Sequence, residues 1–212
     1  MFQWRRPVHL CSGDDSPLRS EGVGLIVGLG NPGKTYEQTR HNVGFLVIER
    51  FAARHGLGVQ RHFRKALTGD WKAPKGRILL ARPQTFMNAS GDSVAAIAGF
   101  YHLMPEQVLV VCDDVSLPFG RLRIRRSGSE GGHNGLRSIS HRMGTRDYPR
   151  LRVGIGKPPE SWDMIDYVLS AFTSSERQDL PDILDLCCDA LELCADAGIE
   201  VAMNRFNAAA SQ

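Results

Sequence analysis

Short apolar runs alternate along this chain with stretches whose apolar residues recur every three to four positions. Residues 23–27 form a run of strand length that leads straight into the turn Gly28-Leu29-Gly30-Asn31-Pro32-Gly33. From Asn42 to about Arg54, the residues Phe45, Val47, Ile48, Phe51 and Ala52 share one broad side, the periodicity of a helix with Asn42 as its N-cap and Gly56 just past its end. Further strands are predicted at 78–81, 108–111, 122–125 and 151–155, and helices at 90–101, 135–143 and 175 to about 197. Strands alternating with helices of this length predict an α/β fold, a single domain with a central mixed β-sheet and helices on both faces, in which 122–125 is the candidate antiparallel strand. Residues 1–21 hold Arg5, Arg6, Asp14, Asp15 and Glu21 but no apolar core, which argues against a secretory signal or a transit peptide. They are set apart as a poorly ordered extension, with the domain over 22–212.

At 212 residues, with 42% hydrophobic and 23% charged, the chain can bury a core without disulfide or metal staples. No apolar run approaches the ~18 residues of a membrane span, which argues against integration into a bilayer. The five cysteines include an adjacent pair and no C-x-x-C, so neither a disulfide framework nor a zinc site is suggested, and reduced cytoplasm fits. Charge is segregated: residues 121–157 carry 10 basic and 2 acidic side chains, residues 158–212 carry 2 and 11. Of the 26 basic residues 21 are arginine, whose planar fork suits phosphate. Either the basic stretch meets a polyanion or the two segments neutralise each other in the fold.

Three polar clusters follow predicted strands: Asn31, then Gln84 to Asn88, then Asp113 and Asp114. In open α/β sheets these strand ends border one crevice, so the clusters can converge. The turn 28–35 fits both the nucleotide P-loop and the dinucleotide glycine fingerprint. Against both, Pro32 removes a backbone donor and the helix signal begins only near Asn42. His41 precedes that helix, where the macrodipole favours a neutral imidazole able to accept a proton, and Asp113 is a carboxylate that could fix its tautomer. Each also reads as an ordinary cap or turn residue. Asn31, Asn88 and Asn134 are either turn residues or amides that polarise an ester carbonyl and orient water. The segment 127–135 offers flexible backbone donors that could cradle phosphate at the next helix start.

The stretches GLGNPGKTYEQTRHNVGF, PQTFMNASG, VVCDDVSLPFGRLRIR, GSEGGHNGLRSI and RLRVGIGKP, with a weaker YVLSAF, resemble in order the bacterial-type peptidyl-tRNA hydrolases over most of 24–158. The resemblance implies hydrolysis of the ester joining peptide to tRNA by a cytoplasmic monomer with no metal and no cofactor. It implies His41 as catalytic base, Asp113 as its orienting acid and Asn31 as the amide beside them. Tyr36, Met87, Asn88, Gly132 and Asn134 would lie near peptide and ribose, and Arg125 and Arg152 on phosphates of the tRNA acceptor end. Departures are the extension, Ser116 where an acid or asparagine is more usual, and arginine rather than lysine at 125. Plastid group II intron splicing factors share the fold as RNA-binding adaptors, so turnover is what separates the two readings.

Overall fold

The computed structural model describes residues 18–19 and 21–208. The strands are β1 (Leu25–Gly28), β2 (Arg61–Phe63), β3 (Ala66–Ala73), β4 (Gly76–Pro83), β5 (Val108–Asp114), β6 (Leu122–Arg125) and β7 (Arg150–Gly154). The helices are α1 (Val43–Arg54), α2 (Ser90–Phe100), α3 (Asn134–Met143), α4 (Met164–Leu169), α5 (Ser174–Asp196) and α6 (Ile199–Ala208). One mixed sheet runs in the order β2-β3-β4-β1-β5-β7-β6. Its centre, β4-β1-β5-β7, is parallel. β2 and β3 extend it as an antiparallel meander at one edge, and β6 closes the other edge antiparallel to β7.

The apolar runs of the central strands are continuous because both of their faces are covered. Leu25 and Val27 of β1, with Val108, Val110 and Cys112 of β5, pack with the buried residues of α2 and α3. The alternate residues Ile26, Leu109 and Val111 join the core under α1, α5 and α6. The hairpin β2–β3 escapes the apolar pattern because Arg61, His62, Arg64, Lys65 and Lys72 charge this sheet edge. Helix α4 has too few residues to show a periodicity, and α6 buries only Ala202 and Phe206. Leu18 is buried and bridges to Arg77, whose carbonyl accepts the Arg19 N–H (3.0 Å). The rest of the predicted extension, apart from Glu21, lies outside the described residues.

The glycines of the turn after β1 serve packing. A Cβ on Gly28 would stand 2.1 Å from the Gly44 carbonyl oxygen, and one on Gly44 would stand 2.5 Å from the Leu29 backbone. The turn is locked there, since the Leu29 N–H donates to the Val111 carbonyl (2.9 Å) and Phe45 N–H to the Leu29 carbonyl (3.2 Å). Lys34–Tyr36 is a single 3₁₀ turn and α1 begins only at Val43, so no helix N-terminus faces a phosphate as a P-loop requires. Replacing Gly44 by alanine should lose about 3 kcal/mol of stability, because backbone rather than a flexible side chain would have to move. An unchanged thermal midpoint in that variant would contradict the backbone contact.

The acidic C-terminal segment is met mainly from elsewhere than the basic stretch. Asp185 pairs with Arg50 and with Arg54 (2.9 Å), and Arg54 also reaches Asp189 (2.6 Å), so α5 is tied to α1. Within the basic stretch Arg126 does reach Glu200. Arg150, fully buried, donates to the carbonyls of Gly128 (2.7 Å) and Arg146 (2.8 Å) and stacks on Tyr148, pinning the glycine-rich loop before α3. Arg123 and Arg125 are exposed and have no charged partner among the described residues.

Candidate active site

His41 lies in a 3₁₀ turn, Arg40–Asn42, that joins the loop after β1 to α1. Asp113 sits near the end of β5, the strand beside β1, which brings the two together across 72 residues of sequence. His41 Nδ1 lies 2.8 Å from Asp113 Oδ1, both residues being buried. The same carboxylate oxygen takes a second histidine, His133, through Nε2 at 3.0 Å. His133 N-caps α3: its Nδ1 accepts the N–H groups of Gly135 (3.1 Å) and Leu136 (3.3 Å). The proton of His133 is therefore on Nε2, aimed at Asp113. This cap takes up the Gly135 and Leu136 N–H groups, two of the backbone donors that the phosphate-cradle reading of 127–135 counted.

Burial opposes ionisation of Asp113, but the charges and hydrogen bonds of His41 and His133 outweigh it and hold the carboxyl well below the usual range. Burial likewise disfavours the His41 cation, and Asp113 more than offsets this, so His41 titrates above the ordinary histidine value. The macrodipole reading, which favoured the neutral ring, is outweighed by that neighbour. With Nδ1–H held by Asp113, the Nε2 lone pair of a neutral His41 is free to take a proton. The donor atoms of His41, Asp113 and His133 lie within 4.8 Å of one another. A metal on His133 Nε2 would drive the ring proton onto Nδ1, against two backbone N–H donors. The set fits a hydrogen-bonded triad better than a metal centre.

Beside His41 opens a pocket of about 230 Å³, bordered by Asp113, Asp114, Gly131, Gly132, His133, Asn134 and Arg152, and by Met164, Ile165 and Val168 of α4. Asn134 is exposed on the first turn of α3 and its Oδ1 accepts from Arg137 (2.6 Å). Arg152 donates to Asp114 Oδ2 (3.1 Å) and to the Ser129 carbonyl (2.7 Å), so its guanidinium is already partly engaged. Ser116, the departure noted in the sequence, donates to the other oxygen of Asp114 through its N–H (2.8 Å) and its hydroxyl (2.6 Å).

Asn31 lines a neighbouring depression with Asn42, Phe45, Arg82 and Gln84. Its Oδ1 accepts the Met87 N–H (2.8 Å), which leaves its NH₂ as the outward donor. Asn42, the expected N-cap, makes no capping bond; it clasps Asn31 instead, accepting its N–H (2.8 Å) and donating to its carbonyl (2.9 Å). Met87 is buried, its sulfur against Gly135, where a Cβ would come within 2.6 Å. Asn88 is exposed, and Tyr36 packs edge-on to the exposed Phe86. None of these three borders the His41 pocket. Arg125 lies opposite Arg150, level with Val110, and so toward the far end of the strands from Asp113. Sequence reasoning gave no role to His133 or α4 and read Asn42 only as an N-cap; the usable signal for His133 was a histidine between two glycines and a helix start.

Residues 25–212 match the family described as peptidyl-tRNA hydrolase. The chain is 48% identical over 184 residues to a peptidyl-tRNA hydrolase of Chloroflexus aggregans, covering 86% of this chain and 98% of that one. It is 46% identical over 188 residues to one of Frankia casuarinae, covering 89% and 95%. The crystal structure of peptidyl-tRNA hydrolase from Acinetobacter baumannii superposes with a TM-score of 0.81 at 36% identity, over 88% of this chain and 95% of that chain. With a matched family over nearly the whole described domain and relatives at this identity, the chain belongs to the peptidyl-tRNA hydrolase family.

Proposed function

We infer that this protein hydrolyses the ester bond between peptide and tRNA in peptidyl-tRNA, using water activated by His41. The observation that carries the mechanism is the buried His41–Asp113 hydrogen bond facing an open pocket. Water on Nε2 loses its proton to His41 as its oxygen attacks the ester carbonyl. Asp113 holds the ring and stabilises the imidazolium that forms, and the proton then passes to the departing ribose oxygen. The Asn31 NH₂, left unengaged when its Oδ1 accepts from Met87, serves as donor to the developing oxyanion, a role worth about 10²–10³ in rate. Gly132 and Asn134 border the ribose side; Tyr36, Met87 and Asn88 form the peptide side beyond Asn31. Arg125 and Arg152 bind phosphates of the acceptor end, and residues 22–212 act as a monomeric cytoplasmic domain. Among the described residues no helix is long and apolar enough to cross a membrane.

Hydrolysis of an N-blocked aminoacyl-tRNA tests the reading. Turnover that survives a chelator supports it; binding without turnover would favour an RNA-binding adaptor, and loss on chelation would overturn the metal-free route. Arg125→Ala should weaken tRNA binding and reduce the slope of log affinity against log salt by ~0.7–0.9, one phosphate contact. Turnover on saturating substrate should barely change, since a remote contact holds ground and transition state alike. An unchanged salt slope in the folded variant removes Arg125 from the interface.

A further inference from the structure

The weak motif YVLSAF, residues 167–172, has no part in the chemistry above, yet most of it converges on the residue preceding His41. Arg40 is buried, and its guanidinium reaches three groups: Nη1 donates to Ser170 Oγ (2.7 Å) and to the Ala171 carbonyl, and Nη2 to Glu176 Oε2 (2.6 Å). Its Cζ lies 4.6 Å from the Tyr167 ring centroid and 5.5 Å from that of Phe172. The backbone is joined at the same place: Arg40 N–H donates to the Ser170 carbonyl (3.0 Å), and Thr39 bridges Ala171. Glu176 is itself fixed, because its carboxylate and the Thr173 hydroxyl form the capping box of α5. Tyr167 is anchored at its far end by its hydroxyl on the Ile155 carbonyl (2.6 Å).

We propose that Arg40 is a positioning residue for hydrolysis: with Glu176 it clamps the 167–172 strap to the turn carrying His41, fixing that ring and the α4 wall of its pocket as one unit. The physical reason for arginine is its fork. One planar cation serves the strap with one nitrogen and α5 with the other while stacking on an aromatic face, which a lysine ammonium cannot do. Met164, Ile165 and Val168 of α4 border the pocket. The first two are substantially exposed, so this wall is held from behind, by the buried Tyr167 and Phe172, the backbone bonds to Thr39 and Arg40, and the Arg40 side chain that joins them to the His41 turn.

The proposal rests on His41 as the base, and its test keeps the two apart. Arg40→Lys and Glu176→Gln are the variants, since each preserves bulk and the glutamine amide can still complete the capping box. In both, kcat on peptidyl-tRNA should fall, by about tenfold in Arg40→Lys, through misplacement of the base. Affinity for deacylated tRNA should stay within about twofold, because no tRNA contact is removed. The double variant should lose little more than Arg40→Lys alone, as expected of one unit. The downfield proton signal of His41 Nδ1–H should weaken or broaden in the folded variants. Unchanged kcat with an unchanged signal, or a loss that follows only the unfolded fraction, overturns the clamp. A fully active His41→Ala control would instead overturn the base assignment.

Discussion

His41→Ala should cut turnover on peptidyl-tRNA by about 10²–10⁴ while leaving tRNA affinity nearly intact. The ring is buried on the floor of the pocket and its polar contact is Asp113, so it has no phosphate or base to hold. What is removed is the acceptor for the proton of the attacking water, which matters only in the transition state. The loss should therefore appear in kcat and in kcat/KM alike. Asp113 keeps His133 as a partner in this variant, so the fold should survive, and circular dichroism checks it. A variant with near-parental kcat would sink the mechanism. Loss of tRNA binding in a folded variant would show that His41 also contacts substrate in its ground state.

Asp113→Asn should produce a loss of similar order together with a displaced pH profile. The carboxylate now accepts both histidine protons on one oxygen, fixing Nδ1–H on His41 and leaving Nε2 basic. An amide that turns its NH₂ toward His41 selects the other tautomer, which cannot take a proton from water. The sign of the pH effect follows from the charges. Asp113 raises the His41 pKa above the ordinary value, and His41 works in its neutral form. In the parent protein kcat/KM should thus climb with rising pH and level off only above the ordinary histidine range. Removing the negative charge lets burial dominate, so the residual activity of Asp113→Asn should level off at lower pH. Rate–pH profiles of both proteins decide this, and an unmoved limb would assign the titration to another group.

The chemistry-bearing residues were legible because they follow strands whose apolar runs are unmistakable. Asn31 and Asp113 stand at or just beyond the ends of β1 and β5, where an α/β sheet gathers its loops, and His41 stands at the entry to the helix that follows β1. His133 was visible as a residue before a predicted helix but not as a partner of Asp113, since that pairing spans 20 residues and is made by tertiary packing. Asn42 had the right type for an N-cap and a different role, because α1 begins against the Gly28–Leu29 backbone and the amide is drawn to Asn31. The charged hairpin β2–β3 was missed because β2, the edge strand, needs no apolar alternation to pair, and β3 behind it is interrupted by Gly69, Asp70 and Lys72.

By itself the sequence determined the α/β class, the central mixed sheet and the turn that brings His41 to it, because local periodicity and glycine placement are written in adjacent residues. It also determined which residue types could do the chemistry. Only the tertiary structure decided how these groups act on one another. That Asp113 serves two histidines, that α5 is neutralised by α1 rather than by the basic stretch, and that Arg40 ties the YVLSAF strap to His41 are contacts across 20 to about 135 residues. Hydrogen bonds and ion pairs act over a few ångströms of space, and separation along the chain carries no record of which groups will come that close.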